Sequence, residues 1–137
     1  MIIVFVNPDK ILRDSFLQTF QQTNKVYSFT EMFDAYKWIK RNEVPPNLII
    51  TEVDLLDPSG LQSLKFLETK SKLKDTKLIA FTPEQVEKEQ ISLVVSEGAD
   101  AVFSKPTLFN EVSSYIKYLE SPGTVSKAKS KKLSGNK

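Results

Sequence analysis

Four short stretches of this chain are almost wholly apolar, and the segments between them repeat their apolar residues every three or four positions. Residues 2–6 (Ile-Ile-Val-Phe-Val), 48–51 (Leu-Ile-Ile-Thr), 78–81 (Leu-Ile-Ala-Phe) and 101–103 (Ala-Val-Phe) read as strands buried on both faces. A weaker stretch, Val26-Tyr27-Ser28-Phe29, alternates and predicts an edge strand. Ile11, Leu12, Ser15, Phe16, Thr19 and Phe20 keep helical spacing after Asp9, a suitable N-cap. Phe33, Tyr36, Trp38 and Ile39 predict a second helix, with Thr30 as its cap, that stops before Pro45-Pro46. Leu61, Leu64 and Leu67 predict a third. Val86, Gln90, Leu93 and Val94 predict a fourth, closed by Gly98, with Pro83 suited to its first position. Val112, Tyr115, Ile116 and Leu119 predict a fifth. The same spacings assign Phe16, Phe20, Phe33, Trp38 and Phe66 to the core.

Strand and helix therefore alternate five times within residues 1–120. Such alternation implies a parallel sheet wound on both sides through right-handed crossovers. The expected fold class is α/β: a flavodoxin-like, doubly wound five-stranded sheet of order 2-1-3-4-5 with five helices. In sheets of this kind the ligand site lies beyond the carboxyl ends of the strands, beside the point where strand order reverses. That rule singles out Asn7-Pro8-Asp9, Glu52, Thr82 and Lys105.

Composition narrows the chemistry. The 137 residues suit one domain with a real core, at 40% apolar and 26% charged. No apolar run approaches a membrane span, and the apolar N-terminus lacks the flanks of a signal peptide. There is no cysteine and no histidine. Thiolate metal sites, disulfides, serine triads and Cys–His pairs are excluded, and a reducing, cytoplasmic setting is expected. Nineteen basic residues oppose 17 acidic ones. Five of the lysines lie in 121–137, a stretch without acids, which leaves 14 basic against 17 acidic residues, or −3, in 1–120. Residues 121–137 are rich in Ser, Gly and Lys and predict a disordered tail.

The residues at the strand ends carry a resemblance. Pro46 to Leu61, with Glu52 closing the apolar run and Gly60 in the following loop, looks like the central strand and loop of a two-component receiver domain. Ile79-Ala80-Phe81-Thr82 supplies the hydroxyl residue that the family has after strand four. Glu97-Gly98-Ala99-Asp100-Ala101-Val102-Phe103-Ser104-Lys105-Pro106 resembles its strand-five motif. In order on five βα units, these features identify residues 1–119 as similar to the response regulator receiver domain family (CheY-like). The resemblance implies a non-enzymatic module of phosphorelay signalling in bacteria.

The departures fall on the chemistry. The family's acceptor aspartate is Glu52 here, its acid pair aligns with Asn7 and Pro8, and its loop proline is Leu56. The switch position, often aromatic, is Val102. Asp9 is one place too far along and suits a helix cap. Phosphoryl transfer to a carboxylate needs positioning and Mg²⁺, which wants carboxylate and water oxygens in octahedral array. One carboxylate, Glu52, against one lysine, Lys105, balances without metal, so Mg²⁺ binding is expected to be weak or absent and no cofactor is expected. Three roles for Glu52 stay open: a neutralising partner for Lys105, a residue fixing one switch state through Lys105 and Thr82, or an unusual acceptor. Thr82 equally suits a turn, and Asn7 a turn or cap. Asp54 is a possible source of a second carboxylate.

The leading expectation is a stand-alone pseudo-receiver that binds a protein partner, a histidine kinase or a downstream signalling protein, through helix four, strand five and helix five, with a homodimer as a variant. The alternative is a working response regulator phosphorylated at Glu52 or rescued by Asp9 and Asp54. A flavodoxin-like small-molecule binder or enzyme is disfavoured, because the loop after strand one has no glycine to let amides approach a phosphate. Nucleic-acid binding would rest on the lysine tail alone, and no membrane association is expected.

Overall fold

The computed structural model describes residues 1–121. Its elements run β1 (Ile2–Val6), α1 (Lys10–Phe20), β2 (Lys25–Phe29), α2 (Met32–Arg41), β3 (Leu48–Glu52), α3 (Pro58–Glu68), β4 (Lys77–Thr82), α4 (Lys88–Ser96), β5 (Ala101–Ser104) and α5 (Leu108–Glu120), with 3₁₀ turns at Ser71–Leu73 and Lys105–Thr107. The five strands form one parallel sheet in the order β2-β1-β3-β4-β5, the order expected of a flavodoxin-like sheet. The predicted tail, all but Ser121, lies outside the described residues.

Alternate residues of each buried strand feed opposite faces of the sheet. Ile3, Phe5, Leu48, Ile50, Ile79 and Phe81 meet Phe16 and Phe20 of α1 and Val112 and Ile116 of α5. Phe5 lies at the centre of this layer, stacked 4.1 Å from Phe16 and 5.9 Å from Phe81. Val4, Val6, Ile49 and Leu78 meet Ala35 and Ile39 of α2 and Leu67 of α3 on the other face. Val53, Leu64, Ala80, Val94 and Ala99 close that face against α4. Burying one such side chain stabilises the fold by roughly 1.5–3 kcal/mol.

Local signals fix the helix ends. Asp9 Oδ1 accepts from the Ile11 and Leu12 N–H groups at 2.9 and 3.4 Å, the expected cap of α1. At α2 the cap position is Glu31, not Thr30, and its side chain makes no capping bond. The far end of α2 is satisfied instead by Lys72, whose Nζ donates to Ile39 O at 2.7 Å and to Asn42 O. The fourth helix starts at Lys88, later than Val86 and Pro83 suggest. Two bonds explain the delay: Thr82 Oγ1 donates to Glu84 O at 2.6 Å, making a turn, and Gln90 Oε1 accepts from Glu87 N at 2.9 Å at the new start. Gly98 ends α4 with φ +123°, and a Cβ there would sit 3.2 Å from Leu64 O and from Glu68 Cβ. Glycine is required on both counts.

Two of the aromatics assigned to the core are on the outside. Phe16 and Phe20 are buried and Trp38 is half-buried, but Phe33 is 66% and Phe66 45% exposed. Ala35 and Ile39 carry the buried stripe of α2, and Leu64 and Leu67 that of α3. Phe33 and Phe66 each fall beside those stripes.

Candidate functional site

Sheet order determines what can reach Glu52, the last residue of β3. β1 is its immediate neighbour on one side, with Val6 opposite Thr51, so Asn7 emerges about one strand spacing, ~4.8 Å, away. β4 is the neighbour on the other side, with Phe81 opposite Glu52. β5 is two strands away, roughly 10 Å.

The hydrogen bonds follow that order. Asn7 Nδ2 donates to Glu52 Oε1 at 2.6 Å. Asn7 is 1% exposed and every polar group it has is engaged. Its Oδ1 accepts from Asp9 N at 2.9 Å, its N–H donates to Phe29 O at 2.9 Å, and its carbonyl accepts from Arg13 Nη1 at 2.8 Å. Asn7 is thus both a turn residue and the donor that positions the Glu52 carboxylate.

The expected link from Glu52 to Lys105 and Thr82 does not form. Lys105 is exposed at the start of the 3₁₀ turn after β5, and among the described residues it makes no ion pair. Thr82, 2% exposed, spends its hydroxyl on Glu84 O. β1 offers a neutral donor one strand away, while Lys105 follows β5, two strands away beyond β4.

The remaining strand-end residues divide. Asp54 Oδ1 accepts from Leu56 N at 2.9 Å, closing a turn in its own loop. Asp9 is held at the cap of α1, and Pro8 is exposed. Gly60 lies in the first turn of α3, where an added methyl would meet Val53 at an ordinary 3.6 Å. Val102 is half-buried against the layer of Val53, Ala80 and Val94.

A cleft of about 320 Å³ opens beside Glu52 on the α2–α3 side, lined by Pro8, Thr30, Glu31, Glu52, Asp54, Asp57 and Ser63 among others. A larger one, about 520 Å³, lies at the opposite end of the sheet around Met1, Asn24 and Asn47. The smaller cleft has the better claim, because the fold puts ligands at the carboxyl ends of its strands. Four carboxylates share it, yet among the described residues no three acidic groups converge to hold one metal ion. Glu31 and Asp57 were not read from the sequence as site residues. Asp57 lies in a stretch whose turn chemistry is sufficient reason for it, and nothing local marks Glu31.

Similarity to known proteins agrees with this frame. The response regulator receiver domain model matches residues 3–117, and the chain belongs to that family. Its fold is shared with the receiver domain of a DNA-binding response regulator from Colwellia psychrerythraea 34H, at 22% identity over 87% of this chain and 97% of that one, TM-score 0.70. The chemotaxis response regulator CheY4 of Vibrio cholerae is 19% identical over 82% and 96%, TM-score 0.70. A CheY-like receiver domain protein from Methanospirillum hungatei JF-1 is 22% identical over 85% and 93%, TM-score 0.66. Among curated proteins none matches the sequence. Receiver domains are signalling modules that act through other proteins of two-component systems. No described helix is long and apolar enough to cross a membrane.

Proposed function

We propose that this chain is a pseudo-receiver: Glu52 stands in the acceptor's place, takes no phosphoryl group in the usual way, and the module signals by binding a protein partner. The observation that carries this reading is the 2.6 Å bond from Asn7 Nδ2 to Glu52 Oε1. A neutral amide holds the carboxylate where the chemistry of the family calls for a metal cation.

The surrounding donors do not suit Mg²⁺. Asn7 Oδ1 is committed to Asp9 N, Asp9 to the α1 cap, and Asp54 to Leu56 N. Pro8 has no ligand atom. Mg²⁺ wants several carboxylate and water oxygens in octahedral array, and among the described residues no three of the acidic groups around the cleft converge on one point. Glu52 carries about one negative charge where a phosphoryl group carries about −1.5 to −2, so it mimics a phosphorylated acceptor only in part. The bond to Asn7 fixes it in one arrangement without covalent modification.

The partner face is α4, β5 and α5. β5 is a sheet edge whose residues are all half-buried, and α4, which packs next to it, leaves Leu93 and Val95 45% and 38% exposed. An edge strand with apolar neighbours is a surface prepared for covering. A histidine kinase, a downstream signalling protein or a second copy would meet it there, in the cytoplasm.

Incubation with acetyl phosphate and Mg²⁺, followed by intact-mass measurement, tests the site. The expected spectrum is unchanged. A phosphoryl adduct that disappears in Glu52→Gln would overturn the proposal and restore the working response regulator.

A further inference from the structure

A second surface lies away from the β5 edge and adjoins the strand-end cleft, whose lining includes Met32 of α2 and Ser63 of α3. On the outer side of α2 and α3, Tyr36 and Phe66 meet edge-to-face at 5.1 Å between ring centroids. Phe33, one helical turn before Tyr36, continues the aromatic row and is 66% exposed. Three lysines lie over these rings: Lys37 Nζ is 4.9 Å from the Phe33 centroid, Lys40 Nζ 5.7 Å from Tyr36, and Lys70 Nζ 4.1 Å from Phe66 and 5.9 Å from Tyr36.

Positive charge is in excess around these rings, with three lysines against Asp34. Lys37 has a partial counter-ion in Asp34, at 3.9 Å. Lys40 and Lys70 make no ion pair among the described residues. Glu68 runs along Gly98, where an added methyl would lie 3.5 Å from its Cδ. Phe33 and Phe66 lie off the buried stripes of their helices, so core packing does not explain either ring. Ammonium groups held over aromatic rings remain open on their outer side to an anion.

We propose that this face docks an acidic segment of another protein, in which an apolar or aromatic side chain flanked by Asp or Glu settles between Phe33 and Phe66 while its carboxylates meet Lys37, Lys40 and Lys70. Charge complementarity selects this occupant. A single-stranded nucleic acid would need the ring faces for base stacking, and the lysines already cover them. The −3 balance of residues 1–120 also repels a long polyanion, whereas a short acidic segment senses mainly charges within a screening length of about 8–10 Å. The proposal is independent of whether Glu52 is phosphorylated.

Amide NMR of the full chain, titrated with acetyl-Glu-Glu-Trp-Glu-Glu-amide, tests it. The expected result is saturable shifts confined to α2 and α3, weakened about tenfold in the doubly reversed Lys40→Glu/Lys70→Glu variant. Raised salt should weaken binding as well. Lys40 is exposed and Lys70 half-buried, and a second variant, Phe33→Ser at an exposed ring, should weaken binding without reversing any charge. The lysine analogue of the peptide should leave these amides unmoved. Three results would overturn the proposal: silence at α2 and α3, equal shifts with the lysine peptide, or oligothymidylate binding that displaces the acidic peptide.

Discussion

Removing either end of the Asn7–Glu52 bond should cost the fold more than removing Lys105, the partner that charge balance alone suggests for Glu52. Asn7 is 1% exposed, so Glu52→Ala strands its amide away from water. A buried orphan donor costs about 1–3 kcal/mol, and a hydrogen bond to a charged group contributes about 1.5–3 kcal/mol. Glu52 is half-buried, and solvent offsets part of the loss on its side. We expect Glu52→Ala to cost about 2 kcal/mol. Asn7→Ala should cost about 2.5 kcal/mol, because it also frees the Asp9 N–H, whose bond to Asn7 Oδ1 is 2.9 Å. The double variant should lose about 3 kcal/mol, leaving a coupling of about 1.5 kcal/mol. Urea unfolding followed by circular dichroism measures all three. With a slope of about 1.5 kcal/mol per molar, Glu52→Ala should lower the midpoint by about 1.3 M. Lys105→Met should fall within about 0.5 kcal/mol of the parent and show no coupling to Glu52. Additivity of Asn7 and Glu52 within about 0.5 kcal/mol, or a larger coupling between Glu52 and Lys105, would refute the reasoning.

Other perturbations have equally definite outcomes. Lys72→Met removes the cation at the C-terminus of α2 and should cost about 1–2 kcal/mol, with faster hydrogen exchange confined to the last turn of that helix. Gly98→Ala must hold φ near +123° and place a methyl 3.2 Å from Leu64 O, so a loss of at least about 1 kcal/mol in urea unfolding is expected. Burial, then the negative charge of Asp100, then Tyr118, raise the Tyr115 hydroxyl above its ordinary pKa of 10.0. The folded state therefore prefers the neutral phenol. Its contribution is complete below pH 10 and lost as pH climbs above it. Tyr115→Phe should flatten that alkaline limb of thermal stability, and near neutral pH it should be neutral or stabilising, since the buried hydroxyl has no partner among the described residues.

The frame was legible because its signal is redundant. Strands buried on both faces leave short apolar runs, and each is followed by a helical stripe, so a doubly wound parallel sheet follows from alternation and handedness, and five units in about 120 residues match the flavodoxin-like order β2-β1-β3-β4-β5. Helical spacing was a weaker guide to which aromatics are inside. It shows which residues share a face but not how far that face extends, and Phe66 sits one position from the buried Leu67. The start of α4 was misplaced because Pro83 and Val86 fit a helix locally, while the Thr82–Glu84 turn and the Gln90 side chain decide otherwise. At the site, sequence identified the residues at the strand ends but not their bonds. Charge balance favoured Lys105 for Glu52, whereas strand order put Asn7 one spacing away and Lys105 two.

The most direct measurement on the central claim is an amide NMR titration of the full chain with Mg²⁺ and then beryllofluoride. The expected result is silence at residues 7–9, 52–54, 82 and 105, with the Asn7 side-chain amide unmoved. Saturable, Mg²⁺-dependent shifts at those positions would mean that the metal displaces Asn7 from Glu52, and would contradict the pseudo-receiver reading.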